Sequence, residues 1–171
     1  MPYMREEYGN PSCQYSPGLT AGYAIEKARS QVAKLLGAQA GGIIFTSGGT
    51  ESINLAIRGA IGTMGRKQII TTPIEHPAVL RTCQDLEHRE HCTIAYLSVD
   101  EAGRVNPEMV YRALTSRTAV VSVMAANNEI GTIQPIAQIG RLLQTEDVIF
   151  HTDAVQAAGR IPLNVETLGI H

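Results

Sequence analysis

The predicted fold is decided by residues 68–97, which read QIITTPIEHPAVLRTCQDLEHREHCTIAYL. This stretch opens with an apolar, strand-like run over 68–72 and closes with another over 93–97. Between the two runs, Pro77 opens a helical pattern that continues to residue 89, since proline is favoured in the first turn of a helix. A strand, a helix and a second strand in this order predict a βαβ unit, in which a crossover helix joins two parallel strands.

The same alternation continues on both sides of this unit. Further strands are predicted over 43–46, 118–124 and 148–152, and helices over 19–36, 52–64, 106–115 and 136–144. Because the strand runs are apolar nearly throughout, we expect helices to cover both faces of the sheet. Residues 1–18 lack periodicity and are predicted to form an N-terminal arm. The prediction is therefore an α/β fold with a mostly parallel sheet, formed by a domain over 19–171 that follows the arm.

Composition excludes several classes of function. The chain has 171 residues, of which 44% are hydrophobic and 18% charged, with a net charge of −2, so no basic stripe indicates binding to nucleic acid or to an anionic membrane. It has no apolar run long enough for a membrane span, and its first residues lack the apolar region of a secretion signal. The three cysteines fit a reducing environment, so a cytoplasmic location is expected.

A glycine-rich turn follows the first predicted strand and reads TSGGTES over 46–52. Its two glycines let a backbone approach an anion closely, and the following helix N-terminus offers free N–H groups. A phosphate-binding turn and a plain tight turn with a polar cap explain these residues equally well. The turn matches neither the Walker A loop nor the G-x-G-x-x-G dinucleotide fingerprint.

Polar side chains also follow the later strands. His76 comes after the strand over 68–72, Asn127 and Asn128 come after 118–124, and Asp153 and Gln156 come after 148–152. Each has a simple structural explanation, as a helix cap or a turn residue. However, ligands of open α/β sheets bind outside the carboxyl ends of the strands. Together with the glycine turn, these residues predict a pocket for an aromatic, phosphorylated ligand with a cationic nitrogen, and pyridoxal phosphate fits that description.

A metal site is not expected. Cys83, His88, His91 and Cys92 lie close together in the sequence, but they lack a paired C-x-x-C and are interspersed with charged residues. This segment is typical of the solvated end of a helix rather than of a zinc site.

Four motifs carry a resemblance to a known family. They read FTSGGTESINLAI over 45–57, EHPAVL over 75–80, NNEIGTIQPI over 127–136 and HTDAVQ over 151–156. In this order and spacing the chain resembles the cysteine desulfurases, in particular the NifS/IscS-like branch of the class V aminotransferase superfamily. The resemblance implies the large domain of a fold-type-I enzyme that uses pyridoxal 5′-phosphate.

The resemblance also implies roles for residues at the strand ends. Gly49 and Thr50 would hold the cofactor phosphate. His76 would stack on the pyridine ring and move protons as the catalytic histidine. Asp153 would pair with the pyridinium nitrogen and keep it protonated, so that the ring can accept electrons from the substrate.

Two further residues would surround the phenolic oxygen of the ring, namely Asn128 and Gln156. The implied reaction converts L-cysteine to L-alanine and passes the sulfur to an enzyme cysteine as a persulfide, for iron–sulfur clusters or thiolated cofactors. The implied partners are a sulfur acceptor or an iron–sulfur scaffold protein, and a second copy of the chain in a homodimer.

The chain also departs from the family pattern. Relatives are more than twice as long, and in them the cofactor-binding lysine belongs to a Ser-x-His-Lys motif that has no counterpart here. None of Lys27, Lys34 and Lys67 matches that lysine in position. We therefore expect an internal piece of the large domain, incomplete at both ends, without the C-terminal small domain and inactive as an isolated chain. The alternatives are a selenocysteine lyase or another class V enzyme with this cofactor, and a non-catalytic binding or dimerisation module.

Overall fold

The computed structural model describes residues 2–171, and the chain divides into two compact units at the junction between Ile44 and Phe45. In the first unit, a short 3-10 helix at Pro2–Met4 precedes helix α1 (Ser16–Leu36), and another 3-10 turn follows at Ala40–Gly42. Helix α1 begins three residues before the predicted start, with a proline in its first turn. It ends as predicted, at a glycine in the left-handed conformation, Gly37. The division into an arm (1–18) and a domain (19–171) stays a prediction.

A four-stranded sheet forms the centre of the second unit. Its strands are β1 (Gln68–Thr71), β2 (Thr93–Tyr96), β3 (Thr118–Ser122) and β4 (Ile149–His151), in the spatial order β2-β1-β3-β4. Every neighbouring pair of these strands is parallel. The carboxyl ends of all four strands therefore point to the same edge of the sheet.

Helices cover both faces of this sheet, as predicted. Helices α2 (Gly49–Met64) and α3 (Pro77–Glu90) share one hydrophobic core with side chains from one face of the strands, including Ile69 and Val120. The next residues along the same strands, Ile70 and Val121, point to the opposite face. There they share a second core with side chains from the remaining helices, α4 (Pro107–Arg112), α5 (Ile136–Leu143) and α6 (Val165–Leu168). The α/β class and the parallel sheet are thus confirmed.

The predicted strand over 43–46 is wrong. These residues pair with no strand of the described chain, and the apolar side chains of Ile44 and Phe45 are 70% and 50% exposed. An apolar, β-branched run favours a strand only where a neighbouring strand is present to pair with it. The remaining predicted strands and helices are present, with their ends shifted by up to three residues. No helix within residues 2–171 is both long enough and apolar enough to cross a membrane.

Candidate active site

A cavity of about 280 Å³ lies at the carboxyl edge of the sheet. The start of α2 and the loops that follow β1, β3 and β4 supply its walls. All six residues that the sequence predicted for a cofactor site line this one cavity: Gly49, Thr50, His76, Asn128, Asp153 and Gln156. The parallel sheet explains this convergence, because every one of these loops leaves the sheet at the same edge.

The start of α2 forms one end of the cavity. Its N-cap residue, Gly48, has no side chain that could accept a hydrogen bond from the first turn, so the N–H groups of the helix start are not capped by it. Gly49 and Thr50, the first two residues of the helix, both line the cavity. Helix α2 has 16 residues, and the aligned peptide dipoles of such a helix place a partial positive charge at its N-terminus. This end of the cavity is suited to an anion such as a phosphate.

His76 serves both as a helix cap and as part of the cavity wall. It is the N-cap of α3, and its Nδ1 accepts a hydrogen bond of 3.1 Å from the backbone N–H of Ala78. Since Nδ1 is the acceptor, the neutral ring carries its proton on Nε2. The cap fixes the ring beside the cavity and leaves an N–H donor on Nε2.

Asp153 presents a carboxylate to the cavity. One of its oxygens, Oδ1, accepts a hydrogen bond of 3.0 Å from the backbone N–H of Val155. This bond closes the turn that the sequence analysis gave as the structural explanation for Asp153. The other oxygen, Oδ2, has no hydrogen-bonding partner among residues 2–171. Asp153 therefore caps its turn and still has an acceptor for a cationic N–H.

Gln156 and Asn128 add amide groups to the same cavity. The side-chain oxygen of Gln156 accepts a hydrogen bond from the guanidinium of Arg160, which fixes the amide and leaves its NH₂ group as the free donor. Asn128 is exposed at the cavity wall and makes no side-chain hydrogen bond within the described chain. Both side chains are thus available to a ligand oxygen.

The chain matches one protein family along its whole length. The model of the class-V aminotransferases matches residues 1–171. The chain belongs to the class-V aminotransferase family. It is 48% identical over 172 residues to a cysteine desulfurase IscS of Dictyoglomus turgidum, and 49% identical over 168 residues to a cysteine desulfurase of a Nostoc species. These alignments cover 99% and 98% of this chain but 43% and 42% of the relatives, so the chain spans less than half of their length.

Solved structures agree with the family assignment. A NifS-like protein superposes with a TM-score of 0.93 at 41% identity, covering 99% of this chain and 47% of that one. A structure described as SspA in complex with cysteine superposes with a TM-score of 0.95 at 35% identity, covering 99% and 49%. The fold is therefore that of NifS-like class-V proteins, as the sequence motifs predicted.

Two polar residues near the cavity, Glu75 and His151, stand in the quoted family motifs but were assigned no role in the site. Glu75 is buried directly beside His76, in the loop after β1. His151 is the last residue of β4, two residues before Asp153, and its Nδ1 lies 2.8 Å from Oγ of Ser122 on β3. Burial lowers the pKa of His151, although the charge of Asp153 acts in the opposite direction. Both residues open a quoted motif, EHPAVL or HTDAVQ, but the sequence alone does not show which hydrogen bonds they make.

The cysteines and lysines of the chain lie elsewhere. Among residues 2–171, no lysine and no cysteine lines the cavity. Cys83 is fully buried in α3, and burial raises the pKa of its thiol to about 12, so the reactive thiolate is scarce at neutral pH. Cys92 is buried as well, whereas His88 and His91 are exposed, and no group of three or more metal-ligating side chains occurs among residues 2–171.

Proposed function

We propose that this chain forms the cofactor-binding part of a pyridoxal-phosphate-dependent cysteine desulfurase. The observation that carries the proposal is one cavity that brings together an uncapped helix start, a histidine fixed by its helix cap and a carboxylate with a free oxygen. The names of its relatives support the same activity. A homodimer, a sulfur-accepting partner and a cytoplasmic location belong to this proposal.

The cavity residues fit the chemical groups of this cofactor. The start of α2 at Gly49 and Thr50 would hold the phosphate, because free N–H groups and the helix dipole favour a dianion. The unpartnered oxygen of Asp153 would accept the N–H of the pyridinium ring and keep that nitrogen protonated. The amides of Asn128 and Gln156 would surround the phenolic oxygen.

When bound, pyridoxal phosphate supplies an electron sink for the substrate's Cα. In the proposed reaction the thiolate of an acceptor cysteine attacks the sulfur of L-cysteine, so that an S–S bond forms as the Cβ–S bond breaks. The electron pair of the broken bond stays on Cβ, which takes up a proton, and L-alanine leaves. His76 would stack on the ring and move a proton through Nε2, since its Nδ1 is held by the Ala78 N–H. No lysine of this chain lines the cavity, so we expect the isolated 171-residue chain to form no alanine.

A segment exchange tests the proposed activity. In the enzyme of Dictyoglomus turgidum, the aligned 43% of the sequence would be replaced by this chain, and alanine formation from L-cysteine would be measured. We expect the chimera to be active, and Asp153→Asn to lower its kcat about 100-fold, because a charge-assisted hydrogen bond to the ring is lost. Asp147→Asn serves as the control, since Asp147 is exposed and does not line the cavity.

Two outcomes would contradict the proposal. A folded chimera that binds the cofactor and forms no alanine would argue against desulfurase chemistry in this segment. Equal activity of Asp153→Asn and the unmodified chimera would remove Asp153 from its assigned role.

A further inference from the structure

Glu75 is a buried carboxyl group at the edge of the cavity. It is 4% exposed and lies in the loop between β1 and α3, next to His76. Its Oε1 accepts two hydrogen bonds, one of 2.8 Å from Oγ1 of Thr72 and one of 3.0 Å from the backbone N–H of Met124. Its Oε2 is also buried and has no partner among residues 2–171. Ionising Glu75 would lower the stability of the fold, because a buried carboxylate needs hydrogen-bonding partners at both oxygens and Oε2 has none.

The described surroundings of Glu75 contain no cationic side chain that pairs with it. Within residues 2–171, Glu75 takes part in none of the ion pairs. The titratable groups that face it are Asp153 after β4 and Cys83 on α3, with His76 next to it in the chain. Burial raises the pKa of Glu75 to about 7, and the negative charge of Asp153 adds to the rise, while the hydrogen bonds from Met124 and Thr72 oppose it.

The two hydrogen bonds of Oε1 join two walls of the cavity. Thr72 lies just beyond β1, and Met124 lies just beyond β3 and lines the cavity itself. A second link runs in parallel, because the side-chain amide of Asn127 donates a hydrogen bond of 3.0 Å to the carbonyl oxygen of Ile74. Glu75 and Asn127 thus hold the loop that carries His76 against the end of β3.

We propose that Glu75 is a positioning residue of this cavity, which acts as a neutral carboxylic acid. Its carbonyl oxygen holds the Met124 N–H and the loop before His76, and its proton resides on Oε2. In this form Glu75 adds no negative charge beside Asp153, whose carboxyl group would face the cationic ring nitrogen. The protonation of Glu75 concerns the chain alone, whereas its effect on ligand binding rests on the proposed function.

Thermal unfolding of the chain without cofactor tests the protonation. A carboxyl group whose pKa is raised in the folded state stabilises the fold at low pH, and this contribution is lost as the pH rises through the folded-state pKa. Relative to Glu75→Gln, which is neutral at every pH, the wild type should therefore lose about 5 °C in Tm between pH 5 and pH 8. Glu129→Gln removes the same charge from an exposed position of the loop after β3 and should leave the pH dependence unchanged.

A constant difference in Tm between wild type and Glu75→Gln across this pH range would overturn the proposal. It would mean that the carboxyl group is as ionised in the folded chain as in the unfolded chain over this range.

Ligand affinity tests the positioning role. Pyridoxine 5′-phosphate has no aldehyde, so it reports binding to the cavity without reacting with surface lysines. At pH 6 we expect Glu75→Gln to bind it like the wild type, since the amide oxygen replaces Oε1, and Glu75→Ala to bind about tenfold more weakly, since the Met124 N–H loses its partner.

The outcomes separate this inference from the proposed function. Equal losses in folded Glu75→Gln and Glu75→Ala would show that the charge is required and would refute the neutral acid. If the wild type itself does not bind the phosphate compound, the proposed function fails, and the pH dependence of Tm still decides whether Glu75 is neutral.

Discussion

Adjacent asparagines at 127 and 128 have different parts in this site. The side chain of Asn127 is 7% exposed; its oxygen accepts hydrogen bonds from the N–H groups of Glu129 and Ile130, and its amide donates to Ile74. Asn128 is exposed and free of side-chain hydrogen bonds within the described residues. Asn127 is therefore a structural clamp of the loop, whereas Asn128 is the residue available to a ligand.

This difference predicts that alanine substitutions at the two positions affect different properties, namely stability at 127 and ligand binding at 128. Asn127→Ala should lower the free energy of unfolding by about 2 kcal/mol, because three partly buried backbone groups lose their hydrogen-bonding partner. Asn128→Ala should change it by less than about 0.5 kcal/mol and weaken cofactor binding instead. Urea unfolding of both variants provides the measurement. Equal stabilities for the two variants would contradict the assignment of Asn127 as the clamp.

At this scale the sequence predicted the residues of the cavity and missed part of their support. His76, Asn128 and Asp153 were identified because each lies within four residues of the end of a predicted strand. Ligands of parallel sheets bind at these strand ends, and the ends can be located from the local sequence. The burial of Glu75 depends instead on the packing of three separate elements around one side chain. Its orphaned oxygen and its hydrogen bond to Met124 could not be read from the sequence.

At the scale of helices and strands, the predictions differ from the structure in where a helix begins and in whether an apolar run pairs with a strand. Helix α2 begins at Gly49 rather than at residue 52, so the glycine turn provides the helix start itself. The strands β1, β3 and β4 were predicted from their short, mostly apolar runs; every residue of β1 and β3 is buried, whereas β4 at the edge of the sheet is partly buried. The run over 43–46 has the same composition but no partner among the described residues, and pairing is not visible in composition.

Close packing of two helices gives a prediction at this scale. A Cβ atom added to Gly140 in α5 would lie 1.9 Å from the carbonyl oxygen of Leu168 in α6, whereas one added to Gly59 in α2 meets nothing within 4 Å. Gly140→Ala should therefore destabilise the chain by about 2 kcal/mol or more. Gly59→Ala should stabilise it by up to about 1 kcal/mol, because alanine is the better helix former.

Denaturant unfolding of both glycine variants checks this pair. Similar free energies of unfolding for Gly140→Ala and Gly59→Ala would mean that α5 and α6 do not approach each other as closely as described.

At the scale of the whole molecule, the start of α2 and the loops after β1, β3 and β4 form one cavity from residues more than 100 positions apart, from Gly49 to Gln156. The class-V relatives extend this core to more than twice its length. The sequence predicted the cavity through the order and spacing of its four motifs. It could not predict which polar atoms of Asp153 and Gln156 would stay free to bind a ligand, because that depends on the geometry of the turn in which each residue lies.

The most direct test of this account is an amide NMR titration of the chain with pyridoxine 5′-phosphate and, in parallel, with pyridoxine. The account predicts that the phosphate compound shifts the amide signals of Gly49 and Thr50 most strongly, because their N–H groups face the anion at the start of α2. It also predicts that pyridoxine, which lacks the phosphate, leaves these two signals nearly unchanged. Shifts confined to surfaces away from the cavity, or equal shifts of Gly49 and Thr50 with both compounds, would contradict it.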